Sequence, residues 1–193
     1  MKSYLKLFNL KGKPVTVSYW FLLLFLFFSP LTILGIFISV LLHEIAHALM
    51  ADKKGYTLHG INIGLFEGSA TFDRPHDKDL MLISFVGPLT NLILFGIFYG
   101  LSFLYPDNFI KDLYSINFLL FVFNILPIYP MDGGVISRCF ANLRKNRYQA
   151  RKIASIISLV FSISLVVIAL ITKFFIIAIF SVYFIYLSIN ELK

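Results

Sequence analysis

Two histidines and a glutamate stand close together in an otherwise apolar stretch, in the sequence HEIAH at positions 43–47. His43 and His47 are at i and i+4, so a helix places both imidazoles on one face, one turn apart. At this spacing two ring nitrogens can share one Zn²⁺ ion, while Glu44, rotated away from that face, can act as a general base toward water. The alternative is a pair of core histidines bonded to backbone or hydroxyl groups, which leaves Glu44 unexplained.

A catalytic zinc usually has three protein ligands and an open position, so a third ligand is needed. Of the ten acidic residues, only Glu44 and Asp132 fall inside apolar segments. Counted from the nearest polar boundary at 1.5 Å per helical residue, His43 is about 13 Å deep and Asp132 about 9 Å deep. Asp132 is therefore the predicted third ligand. Four residues of the polar loop stay open as alternatives: Glu67, Asp73, His59 and His76.

The segment around Asp132, FNILPIYPMDGG, is unusual for a membrane helix. Pro127 and Pro130 remove helical hydrogen bonds, and Gly133 and Gly134 permit close backbone approach. Non-helical backbone at membrane depth is tolerated only where protein or a water-filled cavity surrounds it. The segment is therefore predicted to line a wet pocket. A simple proline kink in a packing helix is the alternative, and it does not account for Asp132.

The elements that must position these residues are membrane helices. Hydrophobic residues make up 59% of the 193-residue chain, against roughly 45–50% in ordinary globular domains. Six apolar segments, at about 15–29, 31–51, 80–104, 113–137, 152–171 and 174–190, mostly approach the ~20 residues that a spanning helix needs. We therefore expect an all-α polytopic protein of the lipid bilayer, with about six transmembrane helices.

The basic residues indicate orientation. If the N-terminus is inside, all but two of the 17 Lys and Arg residues lie on the inner side, the exceptions being Lys111 and Lys173. This agrees with the positive-inside rule and places both termini in the cytoplasm of a multi-pass cell-membrane protein. The net charge of +7 is not gathered on one face, so we expect no nucleic-acid partner. The basic N-terminus precedes an apolar run without a small-residue cleavage site, which favours an uncleaved first span.

The polar interval between the second and third apolar segments predicts a short β-hairpin. Residues 56–73 contain alternating apolar runs around Glu67 and Gly68, which is typical of two strands joined by a glycine-containing turn. A plain surface loop is the alternative. The last two apolar segments, 152–190, carry few polar residues and are predicted to be packing helices.

Three motifs together resemble the site-2 protease family of intramembrane zinc metalloproteases. They are HEIAH at 43–47, GPLTN at 87–91 and NILPIYPMDGG at 124–134, one in each of the second, third and fourth apolar segments. The resemblance covers about residues 31–140. It implies one transmembrane metalloprotease domain over 1–193, with its catalytic core at about 31–140.

The resemblance also implies an activity. A zinc-dependent endopeptidase of this family hydrolyses a peptide bond within or near the transmembrane helix of a single-span membrane protein, close to the cytoplasmic face. One Zn²⁺ per chain would be bound by His43, His47 and Asp132, with Glu44 as catalytic base. Asn91 and Asn124 match family asparagines that are implied to hold an unwound substrate strand. The substrate and the oligomeric state stay open.

Two further functions are compatible with the same residues. A membrane metal-ion transporter can carry a similar histidine motif, but it should show metal-binding residues on a second span and a polar route to both faces. Apolar segments one, three, five and six contain no His, Asp or Glu in their membrane-spanning parts. A catalytically inactive relative that binds membrane proteins is the third reading, against which the intact Glu44 argues.

Overall fold

The structure, a computed structural model, describes residues 4–10, 12–64, 68–173 and 175–192. The chain divides into two compact units. The first comprises residues 1–75 and 86–122, and the second comprises residues 76–85 and 123–193. The second helix of the chain contributes to both units.

A four-stranded sheet forms one part of the first unit. Its strands are β1 (Tyr4–Leu10), β2 (Lys13–Ser18), β3 (Leu58–Ile63) and β4 (Gly68–Phe72), in the order β1-β2-β3-β4. β1 and β2 are antiparallel, β2 and β3 are parallel, and β3 and β4 are antiparallel. Glu67, one of the two residues around which the hairpin was expected to turn, lies outside the described part of the chain, as do residues 65 and 66, whereas Gly68 is the first residue of β4.

The sheet packs on the first helix through small and branched side chains. Val15 pairs with Ile61 across the parallel strands, and these two residues are buried together with Ile63 and Ala48. Ala48 belongs to the helix α1 (Pro30–Lys53). The sheet therefore covers the end of the helix that carries HEIAH.

The first predicted span differs from the structure. Part of segment 15–29 is strand β2, and the rest is mainly a 3₁₀ helix, Tyr19–Leu26. Eight residues at about 2.0 Å rise extend only about 16 Å, much less than the ~30 Å of hydrocarbon. The strand was missed because its partner β3 lies 40 residues further on, where local periodicity gives no sign of the pairing.

The helix α1 begins at a defined cap. The Ser29 side chain accepts a hydrogen bond from the N–H of Thr32 at 3.1 Å, and Pro30 occupies the first turn, where its missing N–H costs nothing. The Thr32 hydroxyl then donates to Asp112 at 2.9 Å. Asp112 belongs to α3 (Asn108–Ile125). This contact holds the start of α1 against α3.

Helix α2 (Asp77–Ser102) carries the GPLTN motif, with Pro88 inside the helix. Gly35 of α1 lies against α3, because a Cβ at this position would come 2.8 Å from a methyl group of Leu113. Helix α1, most of α2 and most of α3 thus form the α-helical part of the first unit.

The second unit contains the interruption that the prolines predict. Helix α3 ends at Ile125 and α4 (Asp132–Asn142) begins at Asp132, so residues 126–131 are not helical. A Cβ on Gly133 would overlap the carbonyl groups of Ile125 and Leu126. The expectation that Pro127 and Pro130 break the helix is confirmed, and Gly133 allows α4 to start directly against the end of α3.

Helices α5 (Arg147–Thr172) and α6 (Phe175–Leu192) complete the second unit. Ser158 of α5 accepts a hydrogen bond from the N–H of Tyr129 at 2.9 Å and shares a 2.6 Å hydrogen bond with Ser188 of α6. Both serines are buried. The two helices therefore also support the backbone of the interrupted segment.

Three of the described helices are long and apolar enough to cross a membrane, namely α1, α2 and α5, and Ile177–Leu192 is a shorter apolar helix. Large apolar side chains remain exposed along all three. Such surfaces are characteristic of contact with lipid rather than water. The chain has the character of a membrane protein, and the number of crossings stays a prediction.

Candidate metal centre

The helix α1 brings His43, Glu44 and His47 together. Their side chains are only 5%, 4% and 6% exposed, respectively. The two imidazoles meet edge to face, with ring centres 4.7 Å apart, and their Nε2 atoms are separated by 3.0 Å. One potential ligand atom from each of the three residues lies within 4.8 Å of the others. No second group of this kind is found in the described parts of the chain.

The separation of the two nitrogens fits a shared ion. With Zn–N distances of about 2.0–2.1 Å and tetrahedral geometry, two ligand nitrogens lie roughly 3.3 Å apart. The observed 3.0 Å is close to that value. Space is also provided in front of the pair, because a Cβ built on Gly87 of α2 would lie 2.6 Å from His43 Nε2 and nearer still to His47 Nε2. Only glycine leaves this volume open, so the residues fit a small cation such as Zn²⁺.

Asn91 of α2 contacts the other side of the His43 ring. Its Oδ1 is hydrogen bonded to His43 Nδ1, and its side chain is fully buried. Histidine ligands commonly donate their second ring N–H to an oxygen, which fixes the ring and its tautomer. The resemblance implies substrate binding for Asn91. The structure instead shows its oxygen on His43 and its amide nitrogen on Asn117 Oδ1 at 2.9 Å, so both ends of the side chain are engaged.

Asn117 is a residue that the sequence reasoning missed. It lies on α3, is fully buried, and donates to Ser39 Oγ at 3.0 Å and to the carbonyl oxygen of Leu113 at 2.9 Å. A signal was present, because an amide inside an apolar segment must find hydrogen-bond partners. Within the apolar segments, only ionisable side chains and the asparagines of the family motifs were taken as candidate site residues, so this uncharged amide was missed.

The remaining predicted residues belong to other elements of the chain. Asp132, the first residue of α4, and Asn124, near the end of α3, belong to the second unit and are partly buried. The roles of Asp132 as third ligand and of Asn124 in substrate binding stay predictions.

Among the loop alternatives, His59 and Asp73 are more than half exposed and bond to each other at 2.9 Å. Hydrogen bonds from Thr57 and His59 lower the pKa of Asp73 below its ordinary value. Both residues are thus accounted for by a hydrogen bond on the surface.

His76 is exposed and belongs to the second unit, and Glu67 lies outside the described residues.

Comparison with known proteins gives a consistent result. The model of peptidase family M50 matches residues 106–168. The chain is 27% identical over 171 residues to zinc metalloprotease MJ0392 of Methanocaldococcus jannaschii, which covers 80% of this chain and 50% of the relative. It is 33% identical over 112 residues to a putative zinc metalloprotease, Rip3, of Mycobacterium tuberculosis, which covers 53% of this chain and 28% of the relative.

The fold has a solved counterpart. The structure matches that of the site-2 protease from Methanocaldococcus jannaschii with a TM-score of 0.76 and 24% sequence identity, over 98% of this chain and 95% of the other. At this identity the match establishes the fold. The chain spans about half the length of the first curated relative and under a third of Rip3. Both of these relatives are named as zinc metalloproteases. The fold, the match to the model of peptidase family M50 over residues 106–168 and the zinc metalloprotease relatives all agree with the resemblance to the site-2 proteases.

Proposed function

We propose that the protein is an intramembrane zinc metalloprotease that hydrolyses a peptide bond within or near a substrate transmembrane helix, close to the cytoplasmic face. The observation that carries the proposal is the buried pair His43 and His47, with their Nε2 atoms 3.0 Å apart and Glu44 beside them on one apolar helix. Burying three ionisable groups in a membrane segment costs free energy, so their presence there indicates a function.

His43, His47 and Asp132 are proposed to hold the ion. The histidines are supported by their geometry, and Asp132 by its depth in the sequence and by the family motif. When bound, zinc supplies Lewis acidity and lowers the pKa of a coordinated water molecule. Glu44 accepts the proton of the attacking water and delivers it to the leaving amide nitrogen. Its carboxylate oxygen lies within 4.8 Å of the histidine nitrogens, close enough for one water molecule to contact both Glu44 and an ion held by the histidines.

The proposed substrate is a single-span membrane protein whose helix unwinds locally, because a helical peptide bond is shielded by its own turn. An unwound segment needs partners for its backbone, and an edge strand can provide them. β4 is such an edge, being the last strand in the order β1-β2-β3-β4. Asn124 is the proposed side-chain contact to this segment. Asn91 is assigned to His43 instead, since both ends of its side chain are already bonded.

We further propose a multi-pass arrangement in the cell membrane with both termini in the cytoplasm. The distribution of Lys and Arg supports it, with all but two of the 17 basic residues on the inner side.

The test is reconstitution of the purified protein in vesicles with candidate single-span substrates. We expect Glu44→Gln to abolish cleavage and retain zinc, and Asp132→Ala to abolish cleavage and weaken zinc binding. His59→Ala is the control, because it removes an exposed histidine that is paired only on the surface. Zinc flux into sealed vesicles without proteolysis would establish a transporter instead. Substrate binding that is unaffected by Glu44→Gln, with no cleavage by the wild type, would indicate an inactive relative.

A further inference from the structure

A chain of buried polar side chains lies behind His43. It consists of Asn91 on α2, Asn117 on α3 and Ser39 on α1, which are 0%, 0% and 2% exposed, respectively. Buried amides are retained where their hydrogen bonds are satisfied and where the arrangement specifies one structure. All three residues belong to the first unit.

The order of donors and acceptors in this series of hydrogen bonds is set at its far end, at the carbonyl group of Leu113. The carbonyl oxygen of Leu113 can only accept a hydrogen bond, and it lies 2.9 Å from Asn117 Nδ2. The amide nitrogen of Asn117 must therefore face Leu113, and the same nitrogen donates to Ser39 Oγ at 3.0 Å. Asn117 Oδ1 is consequently turned toward Asn91, where it accepts from Nδ2 at 2.9 Å.

The orientation of the Asn91 amide then determines which ring nitrogen of His43 carries the proton. Because Asn91 Nδ2 is used on Asn117, Asn91 presents Oδ1 to His43 Nδ1. An oxygen acceptor at that place requires a proton on Nδ1, which leaves the lone pair of the neutral ring on Nε2. Nε2 is the atom that lies 3.0 Å from His47 Nε2 and faces the volume in front of Gly87. A reversed Asn91 amide would point a donor at Nδ1 and force the proton onto Nε2, where it blocks metal binding.

We propose that Asn117 is a positioning residue of the metal centre: acting through Asn91, it fixes the tautomer of His43 so that Nε2 carries the lone pair that binds the ion. This inference rests on the proposed zinc site. Asn117 touches neither the ion nor the substrate, and its effect is transmitted by the orientation of a second amide.

The main variant is Asn117→Leu, which keeps approximate size and removes both the donor and the acceptor. We expect the dissociation constant for zinc, measured by competition with a chelator, to rise about tenfold, the lower end of the range for residues that support a metal ligand. Asn142→Leu is the matched control, because it removes another hydrogen-bonded amide, which donates to Asp77 at 3.0 Å in the second unit. We expect it to leave zinc affinity within about twofold of wild type, well below the roughly tenfold effect that marks the lower end for supporting residues.

A spectroscopic measurement separates positioning from general destabilisation. In zinc-free protein with ¹⁵N-labelled histidine, the wild-type His43 signal, assigned by its loss in His43→Gln, should show a proton on Nδ1. Asn117→Leu should convert part of that signal to the other tautomer. A wild-type His43 protonated on Nε2 would overturn the proposal even if Asn117→Leu does not fold.

The zinc titration also separates this proposal from the one on which it rests. Undiminished zinc binding by His43→Gln would refute the metal site itself. Loss of zinc in His43→Gln, together with unchanged affinity and an unchanged tautomer in Asn117→Leu, would refute only the role of Asn117.

Discussion

Replacing Gly87 by alanine should block the metal centre with a single methyl group. The new Cβ would lie 2.6 Å from His43 Nε2 and nearer to His47 Nε2, whereas an ordinary contact needs at least about 3.4 Å. The imidazoles must then retreat by close to 1 Å, or the methyl group occupies the space intended for the ion. Zinc sites tolerate deviations of only about 0.2 Å from ideal ligand distances.

The expected effect on metal binding is large, and the effect on the metal-free fold is small. Overpacking of this kind costs about 1–3 kcal/mol, while alanine in place of glycine inside a helix returns about 1 kcal/mol. Displacing two ligand nitrogens should weaken zinc binding at least about 100-fold, the upper end of what loss of a supporting contact costs. Proteolysis should disappear together with the zinc.

The assay is a chelator competition titration, combined with thermal unfolding of the zinc-free protein. Gly96→Ala and Gly100→Ala are the controls on the same helix, since a Cβ at either position meets nothing within 4 Å. Both should bind zinc as wild type does and be slightly more stable. A Gly87→Ala protein with wild-type zinc affinity and cleavage would show that the ion is not held between the two Nε2 atoms and α2, and the argument from this geometry would fall.

Two further predictions concern residues away from the histidines. Ser158→Ala should raise hydrogen exchange of residues 126–131 and destabilise the fold by about 1–3 kcal/mol, because the partly buried N–H of Tyr129 loses the Ser158 hydroxyl as acceptor. Ser162→Ala, which removes a buried hydroxyl with no hydrogen-bond partner in the described chain, should not alter this exchange. Asp73→Asn should reduce the dependence of the melting temperature on acid. Hydrogen bonds from Thr57 and His59 lower the pKa of Asp73 in the fold, so these contacts stabilise the protein above the ordinary value of 3.8, and the stabilisation is lost as pH falls through the lowered pKa. An identical acid dependence in both proteins would contradict the second prediction.

The metal-binding part of the site could be predicted because its geometry is local. The i, i+4 spacing of His43 and His47 needs only a helix to become a pair of neighbouring nitrogens. The break before Asp132 is equally local, since Pro127 and Pro130 cannot continue a helix. Both features were therefore visible in the sequence, and the structure confirms the proximity of the histidines and the interruption.

The features that escaped prediction depend on partners far away in the sequence. Strand β1 has the sequence YLKLFNL, whose apolar residues point to both faces and do not alternate, so its pairing with β2 gave no periodic signal. Asn117 could be recognised as a buried amide, but its link to His43 passes through Asn91, 26 residues earlier. Such contacts are decided by how helices pack and cannot be derived from spacing alone.

The parallel pairing of β2 and β3 has a consequence for how the chain crosses the bilayer. Neighbouring strands are about 4.8 Å apart, so hydrogen-bonded strands cannot stand on opposite sides of ~30 Å of hydrocarbon. Everything between Ser18 and Leu58 must leave and return to the same side, which means an even number of crossings. If α1 is one of them, the chain between Ser18 and Pro30 has to make the other, and the 3₁₀ helix Tyr19–Leu26 covers only about 16 Å of that distance. The sheet thus ties the N-terminus and the far end of α1 to one compartment, independently of where the basic residues lie.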